Sequence, residues 1–259
     1  LRCVHEASLH QENCFITLTY NAENIPPDGG LRKKHFQNFM KRLRKHLGKK
    51  KIKFYMCGEY GDKNNRPHYH ALIFGHDFTD RVFCGQTQSG LDLYMSPTLE
   101  KLWTHGFVQV GEVTYESAAY VARYIMKKIN GKAQDQIDPD TGLKPYERIN
   151  DFTGEIIEVL PEFTTMSRGG RNGSGIASDW ITRFSNDCYP KDFVTVNGVK
   201  RKLPRYYDER HKKVDPDTVD SVKAHRAYKG YESVDNTPER LQTREAVKRA
   251  QQKPKIRSL

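Results

Sequence analysis

Eight residues, His68-Tyr-His-Ala-Leu-Ile-Phe-Gly75, narrow the possible folds more than any other part of the chain. The run is apolar after its opening histidines and ends on glycine, which is the pattern of a buried strand. Two more runs read the same way: residues 14–20, rich in β-branched and aromatic side chains, and residues 51–58. Between those two, residues 31–47 repeat Phe36, Phe39, Met40, Leu43 and Leu47 at helical spacing. Lys33, Lys34, Lys41, Arg42, Arg44 and Lys45 mark the other sides, so an amphipathic helix with a basic outer surface is expected. A short helix at 97–103, a strand at 106–113 and a helix at 117–129 complete the order. Strand, helix, strand, strand, short helix, strand, helix predicts an α+β domain with an antiparallel sheet and helices mainly on one face.

After Ile129 the texture changes. Residues 130–154 are polar and rich in Asp, Pro and Gly, and residues 169–175 are glycine-rich. A helix is expected from 178 to 184, a basic stretch with Tyr206 and Tyr207 covers 200–210, and exposed helices follow from about 216 to a basic tail at 248–257. The expected division is a core at 1–129, a polar, Gly-rich extension at 130–215 and a helical basic tail at 216–259.

The chain carries 43 Lys and Arg against 32 Asp and Glu, a formal net charge of +11, which favours a polyanionic partner such as nucleic acid. Five cysteines, with no C-x-x-C pair, argue against a disulfide framework and a four-cysteine zinc site and fit a reducing compartment. No apolar run approaches the roughly 20 residues of a membrane helix. No G-x-x-x-x-G-K-[ST] motif is present, so no nucleotide cofactor is expected.

Side chains alternate along a strand, so His68 and His70 project from one face and Tyr69 from the other. A hairpin through 60–67 would return Glu59 to their side. Two imidazoles and one carboxylate with open positions suit a catalytic divalent ion better than a closed structural zinc. Asp62 is a competing carboxylate, and Cys57, on the same face as Glu59, would turn the site toward zinc.

On the helix at 117–129, Tyr120 and Tyr124 lie about 40° apart around the axis, with Arg123 and Lys127 within about 60° of Tyr120. Ala118, Val121, Ala122, Ile125 and Ile129 centre on the opposite side, so the tyrosines are expected to face outward or into a cleft. A phenol, with its ordinary pKa near 10, is a poor nucleophile at neutral pH. It can attack phosphorus where a metal polarises the phosphate and cations such as Lys127 and Lys128 stabilise charge. A covalent phosphotyrosine link to DNA conserves bond energy, so the strand can be rejoined without ATP.

Arg66-Pro-His-Tyr-His70 followed by Ala-Leu-Ile-Phe resembles the His-hydrophobic-His motif of HUH endonucleases, with Tyr69 at the hydrophobic position. Residues 15–20 resemble the first motif of rolling-circle replication initiators. Tyr120-Val-Ala-Arg-Tyr124-Ile-Met-Lys127-Lys128 is similar to their third motif, in the two-tyrosine form of small bacteriophages. The closest likeness is to the microvirus initiators of gokushovirus type, and it runs loosely on through Glu162-Phe163, Met166-Ser167 and 203–207. The resemblance implies a ferredoxin-like HUH domain with a sheet of about five strands. It implies a metal-dependent endonuclease that nicks and rejoins single-stranded DNA through a 5′-phosphotyrosine to start and end rolling-circle replication of a small phage genome. His68, His70 and Glu59 would bind Mg²⁺ or Mn²⁺, Tyr124 with Lys127 would make the first cut, and Tyr120 would take part in the second transfer. Thr17 and Thr19 would lie near the site. Arg123, Lys128, Arg168 and Arg171 would contact DNA. The implied partners are single-stranded or supercoiled origin DNA and a host helicase and polymerase, in the cytoplasm of a bacterial host. A relaxase or transposase would use the same chemistry on other DNA. A non-catalytic single-strand binder on a similar sheet would not need the histidines and Glu59 as a set, and a zinc-stabilised structural protein would unfold with chelator.

Overall fold

The structure is a computed structural model that describes residues 1–61, 64–86, 90, 92–123, 128–150, 153–169, 174–232 and 234–252. The chain divides into two compact units: Leu1 with Cys3–Ser167, and Arg2 with Arg168–Leu259. The elements of the first are α1 (Arg2–Ala7), β1 (Asn13–Thr19), α2 (Lys33–Leu47), β2 (Lys53–Tyr60), β3 (Pro67–Phe74), β4 (Val82–Gln86), β5 (Asp92–Met95), α3 (Pro97–Trp103), β6 (Val108–Gly111), α4 (Tyr115–Arg123), β7 (Glu147–Ile149), β8 (Ile156–Glu158) and β9 (Phe163–Met166). The second contains α5 (Ser178–Cys188), β10 (Phe193–Val196), β11 (Val199–Lys202), α6 (Arg205–His211), α7 (Pro216–Glu232) and α8 (Pro238–Gln252). Among the described residues no helix is long and apolar enough to cross a membrane.

The fold is α+β around one large antiparallel sheet, ordered β4-β5-β6-β1-β3-β2-β9. Seven strands replace the five or so expected. Two of the additions, β4 and β5, form a mostly exposed hairpin with a register shift between Phe83 and Gly85, too short and irregular to leave a clear alternation. The last, β9, pairs with β2 from well beyond Ile129, and the first unit runs on to Ser167. Its residues Phe163-Thr-Thr-Met166 are few and flanked by polar segments, which hides them in the sequence.

Alternation sorts the two faces of the sheet. Ile16 and Leu18 of β1, Met56 and Tyr60 of β2, Tyr69, Ala71 and Ile73 of β3, and Val108 and Val110 of β6 join one buried core with Phe36, Phe39, Met40 and Leu43 of α2 and Leu99 and Trp103 of α3. Each such apolar side chain contributes about 1.5–3 kcal/mol on burial. Arg42, expected on the basic outer surface, instead bends to the end of α3, where it donates to the carbonyls of Leu102 and Trp103 at 2.6 and 2.9 Å. The start of α2 has no side-chain cap of its own. Tyr69 serves instead: its hydroxyl accepts from the Arg32 N–H and reaches the Arg32 carbonyl, both at 2.9 Å, and lies 2.8 Å from the Tyr20 hydroxyl. The tyrosine between the two histidines therefore ties their strand to the helix behind it.

The opposite face carries α4. Thr114 and Ser117 cap it reciprocally, each side-chain oxygen accepting the other residue's N–H, so the helix starts at Tyr115, ahead of the expected 117. Ala118 and Val121 are buried as expected, whereas Ala122 is exposed. Two helices thus layer on one face and α4 packs on the other, against β2 and β3.

Candidate metal centre and its tyrosine

The β2–β3 register sets Glu59 directly opposite His68 and Cys57 opposite His70. On the other side of β3, Thr19 faces His68 and Thr17 faces His70. All six belong to the face opposite the α2 core. Gly58, beside Glu59, faces that core, where a β-carbon would stand 3.1–3.2 Å from Phe163, Leu31 and Tyr69. The Tyr60 hydroxyl accepts from the Leu31 N–H and donates to the Leu160 carbonyl. The strand ends that carry the cluster are thus anchored from behind.

Glu59 Oε1 lies 2.8 Å from His68 Nε2 and 3.0 Å from His70 Nε2. Ligand atoms of the three residues all fall within 4.8 Å of one another. Glu59 is 1% exposed and His70 6%. Burial alone would raise the Glu59 carboxyl, but hydrogen bonds from His68 and His70 and their charge hold it down at about 2. The group is a carboxylate throughout the neutral range.

The second ring nitrogens explain why this set fits a cation. His68 Nδ1 is 3.0 Å from the Arg66 carbonyl, which can only accept, so Nδ1 carries the proton. A neutral His68 then aims its Nε2 lone pair at the Glu59 carboxylate. His70 Nδ1 lies 2.9 Å from Thr17 Oγ1, and with the hydroxyl accepting, the same tautomer follows. Electron-rich nitrogens this close to a carboxylate oxygen require a positive charge between them, either a proton or a metal ion. Outer hydrogen bonds that orient ligating imidazoles are the usual support of a metal site. The buried Glu59–His68–His70 cluster can hold a metal ion.

Tyr120 of α4 packs on this cluster. Its ring meets His70 edge-on, with centroids 5.1 Å apart, and contacts Phe15 at 6.1 Å, while Phe15 stacks on His70 at 5.6 Å. The half-buried tyrosine therefore faces the sheet and its histidines, not open solvent.

The family model for the replication-associated protein ORF2 matches residues 13–129. That span contains β1, the histidine hairpin and α4. The "Replication-associated protein VP4" of Bdellovibrio phage phiMH2K is 31% identical over 226 residues, 84% of this chain and 63% of its own length. The chain belongs to the phage replication-associated proteins. The "Replication-associated protein ORF2" of Spiroplasma virus 4 is 32% identical over 77% of the chain and 58% of its own length. The "Replication-associated protein ORF4" of Chlamydia phage 1 is 39% identical over 48% of the chain and 32% of its own length. The chain thus spans less than two thirds of each of these relatives. No solved structure matches it.

In this replication-associated protein the expected ligands Glu59, His68 and His70 come together, and Tyr120 joins them. Arg123 ends α4 and Lys128 follows, both partly buried, and Arg168 is exposed in the second unit. Tyr124, Lys127, Arg171 and the competing carboxylate Asp62 lie outside the described residues. Cys57 shares the row of His70 but is absent from the group whose ligand atoms converge. Two supporting roles escaped sequence reasoning. Phe15 stacks on His70, and the Arg66 carbonyl fixes His68. Alternation from Thr17 places Phe15 on the right face, whereas a backbone carbonyl leaves no mark in side-chain pattern.

Proposed function

We propose that this protein is a metal-dependent, site-specific single-strand DNA endonuclease that nicks and rejoins origin DNA to start and end rolling-circle replication of a small circular phage genome. The observation that carries this reading is the packing of Tyr120 on His70 of the Glu59–His68–His70 cluster. Membership among phage replication-associated proteins supports the setting.

Glu59, His68 and His70 would hold Mg²⁺ or Mn²⁺. Bound there, the ion supplies Lewis-acid polarisation of a phosphate oxygen. The chain's own residues do the rest. Tyr124 gives up its phenolic proton as its oxygen attacks phosphorus. The P–O3′ bond breaks, the 3′ oxygen takes a proton to leave as a hydroxyl, and the 5′ phosphate remains on the tyrosine. Lys127 stabilises the developing negative charge. Tyr120 acts in the second transfer, after which a free 3′-hydroxyl attacks the phosphotyrosine and closes the circle. One phosphodiester replaces another at each step, so no nucleotide cofactor is consumed. Arg123, Lys128, Arg168 and Arg171 would contact DNA phosphates. The work would take place in the cytoplasm of the bacterial host, with a host helicase and polymerase extending the freed 3′ end.

Nicking of supercoiled phage replicative-form DNA tests this reading. Wild type should nick with Mg²⁺ or Mn²⁺ and stop with EDTA, and His70→Ala should lose at least 100-fold in rate, roughly the loss of a catalytic electrostatic element. Tight DNA binding without nicking under any metal would favour a non-catalytic binding module.

A further inference from the structure

The cross-strand row that holds the metal cluster does not end at β1. Thr19, which faces His68 on one side, exchanges two backbone hydrogen bonds with Phe107 on the other: each N–H donates to the other's carbonyl at 2.9 Å. Directly opposed residues of antiparallel strands project from the same face. Glu59, His68, Thr19 and Phe107 therefore share one row on one face, and Phe107 stands two strands from His68, about 10 Å at the usual strand spacing. The neighbouring row runs Cys57, His70, Thr17 and Gln109 in the same way.

Phe107 is 60% exposed, although it sits on a closely held backbone. The preceding Gly106 has φ +142°, and a β-carbon there would lie 2.2 Å from the Asn21 nitrogen, so only glycine permits this approach. The Asn21 N–H in turn donates to the His105 carbonyl at 3.0 Å. Gln109 is exposed beside it. Arg66 reaches this end of the row, its Nη1 donating to the Tyr20 carbonyl at 3.1 Å, one residue past Thr19. An exposed phenyl on a fixed strand, an exposed amide and a cation all adjoin a phosphate-processing centre on a chain of net charge +11.

We propose that Phe107 forms a nucleobase-stacking subsite that holds one unpaired base flanking the scissile phosphate of single-stranded DNA. The inference rests on the endonuclease reading above. A phenyl face accepts any base, so Phe107 positions the strand without reading its sequence, while Gln109 offers hydrogen bonds to the base edge and Arg66 attraction to the phosphate. Phe107 is a positioning residue: it touches the strand beside the reacting phosphate, not the phosphate itself.

The full chain would be titrated with two labelled single-stranded oligodeoxynucleotides of equal length, one of mixed sequence and one abasic throughout. Phe107→Ala should weaken binding of the mixed oligomer roughly 5- to 150-fold, the usual effect of removing one stacking aromatic. It should leave the abasic oligomer bound as by wild type. Phe107→Trp should keep the affinity and show indole quenching on binding, and in nicking Phe107→Ala should raise KM more than it lowers kcat. Equal binding of the mixed oligomer by Phe107→Ala and wild type, or equal losses on both oligomers, would overturn the subsite. Metal-dependent nicking by wild type alongside that result would leave the endonuclease reading standing. A wild type that binds no single-stranded DNA would sink both.

Discussion

An imidazole that ligates a metal must hold its ring plane, because rotation about the Cβ–Cγ bond swings Nε2 out of the coordination sphere. His70 is held in two ways, by Thr17 Oγ1 at Nδ1 and by Phe15 stacked on its ring. Thr17→Val keeps the shape and removes the hydroxyl. It should lower Mn²⁺ affinity about 10- to 100-fold, as loss of an outer-sphere partner does, without unfolding the chain. Calorimetric titration of Mn²⁺ measures it, and an unchanged affinity would mean that Thr17 does not orient His70. The ligand triad was legible in the sequence because H-x-H on a strand has a fixed geometric meaning and Glu59 lies one hairpin away. The protonation pattern was not legible, because it depends on the Arg66 carbonyl and on a threonine brought in from 53 residues earlier.

Helices with strong periodicity reveal themselves, as Phe36, Phe39, Met40 and Leu43 of α2 do. The face on which a helix lands is harder to read. The stripe of α4 indicated which side is apolar, but only the sheet determines that Tyr120 turns toward His70 instead of solvent. Short strands such as β4, β5 and β9 escaped because three to five residues carry too little alternation to stand out from a loop. In the second unit, α6 and α7 are joined by an ionic contact that sequence alone does not suggest. Asp208 of α6 accepts from Arg226 of α7 at 2.6 Å and from the Tyr189 hydroxyl at 2.6 Å. Burial pushes the Asp208 carboxyl up, but the hydrogen bonds from Arg226 and Tyr189 outweigh it and hold it below the ordinary value. The contact therefore stabilises this unit fully above the unfolded carboxyl's pKa near 3.9, and the contribution is lost as pH falls through the lower folded value. Hydrogen exchange of α6 and α7 should show protection declining below about pH 4 in wild type, with a shallower decline in Asp208→Asn. Parallel declines in the two proteins would assign the acid sensitivity to other groups.

At the scale of the whole molecule, the organisation of the first unit follows from one division of labour across its sheet. One face buries aromatics under α2 and α3 and supplies rigidity, and the other carries the cluster and α4. The sequence indicated the α+β class and the order of the main elements, since period-2 and period-3.6 segments alternate clearly up to α4. It underestimated the sheet because β9 joins β2 from more than 100 residues further along the chain. The central claim is that tyrosines on α4 and just beyond it attack DNA beside the Glu59–His68–His70 centre. The most direct measurement incubates the full chain with labelled single-stranded origin DNA and Mn²⁺ and looks for a denaturation-resistant protein–DNA adduct. Wild type, Tyr120→Phe, Tyr124→Phe and the double variant would be compared, with and without EDTA. The account predicts a metal-dependent adduct that weakens most in Tyr124→Phe among the single variants and disappears in the double variant. An adduct of wild-type yield in the double variant, or none from wild type on DNA that it nicks, would contradict it.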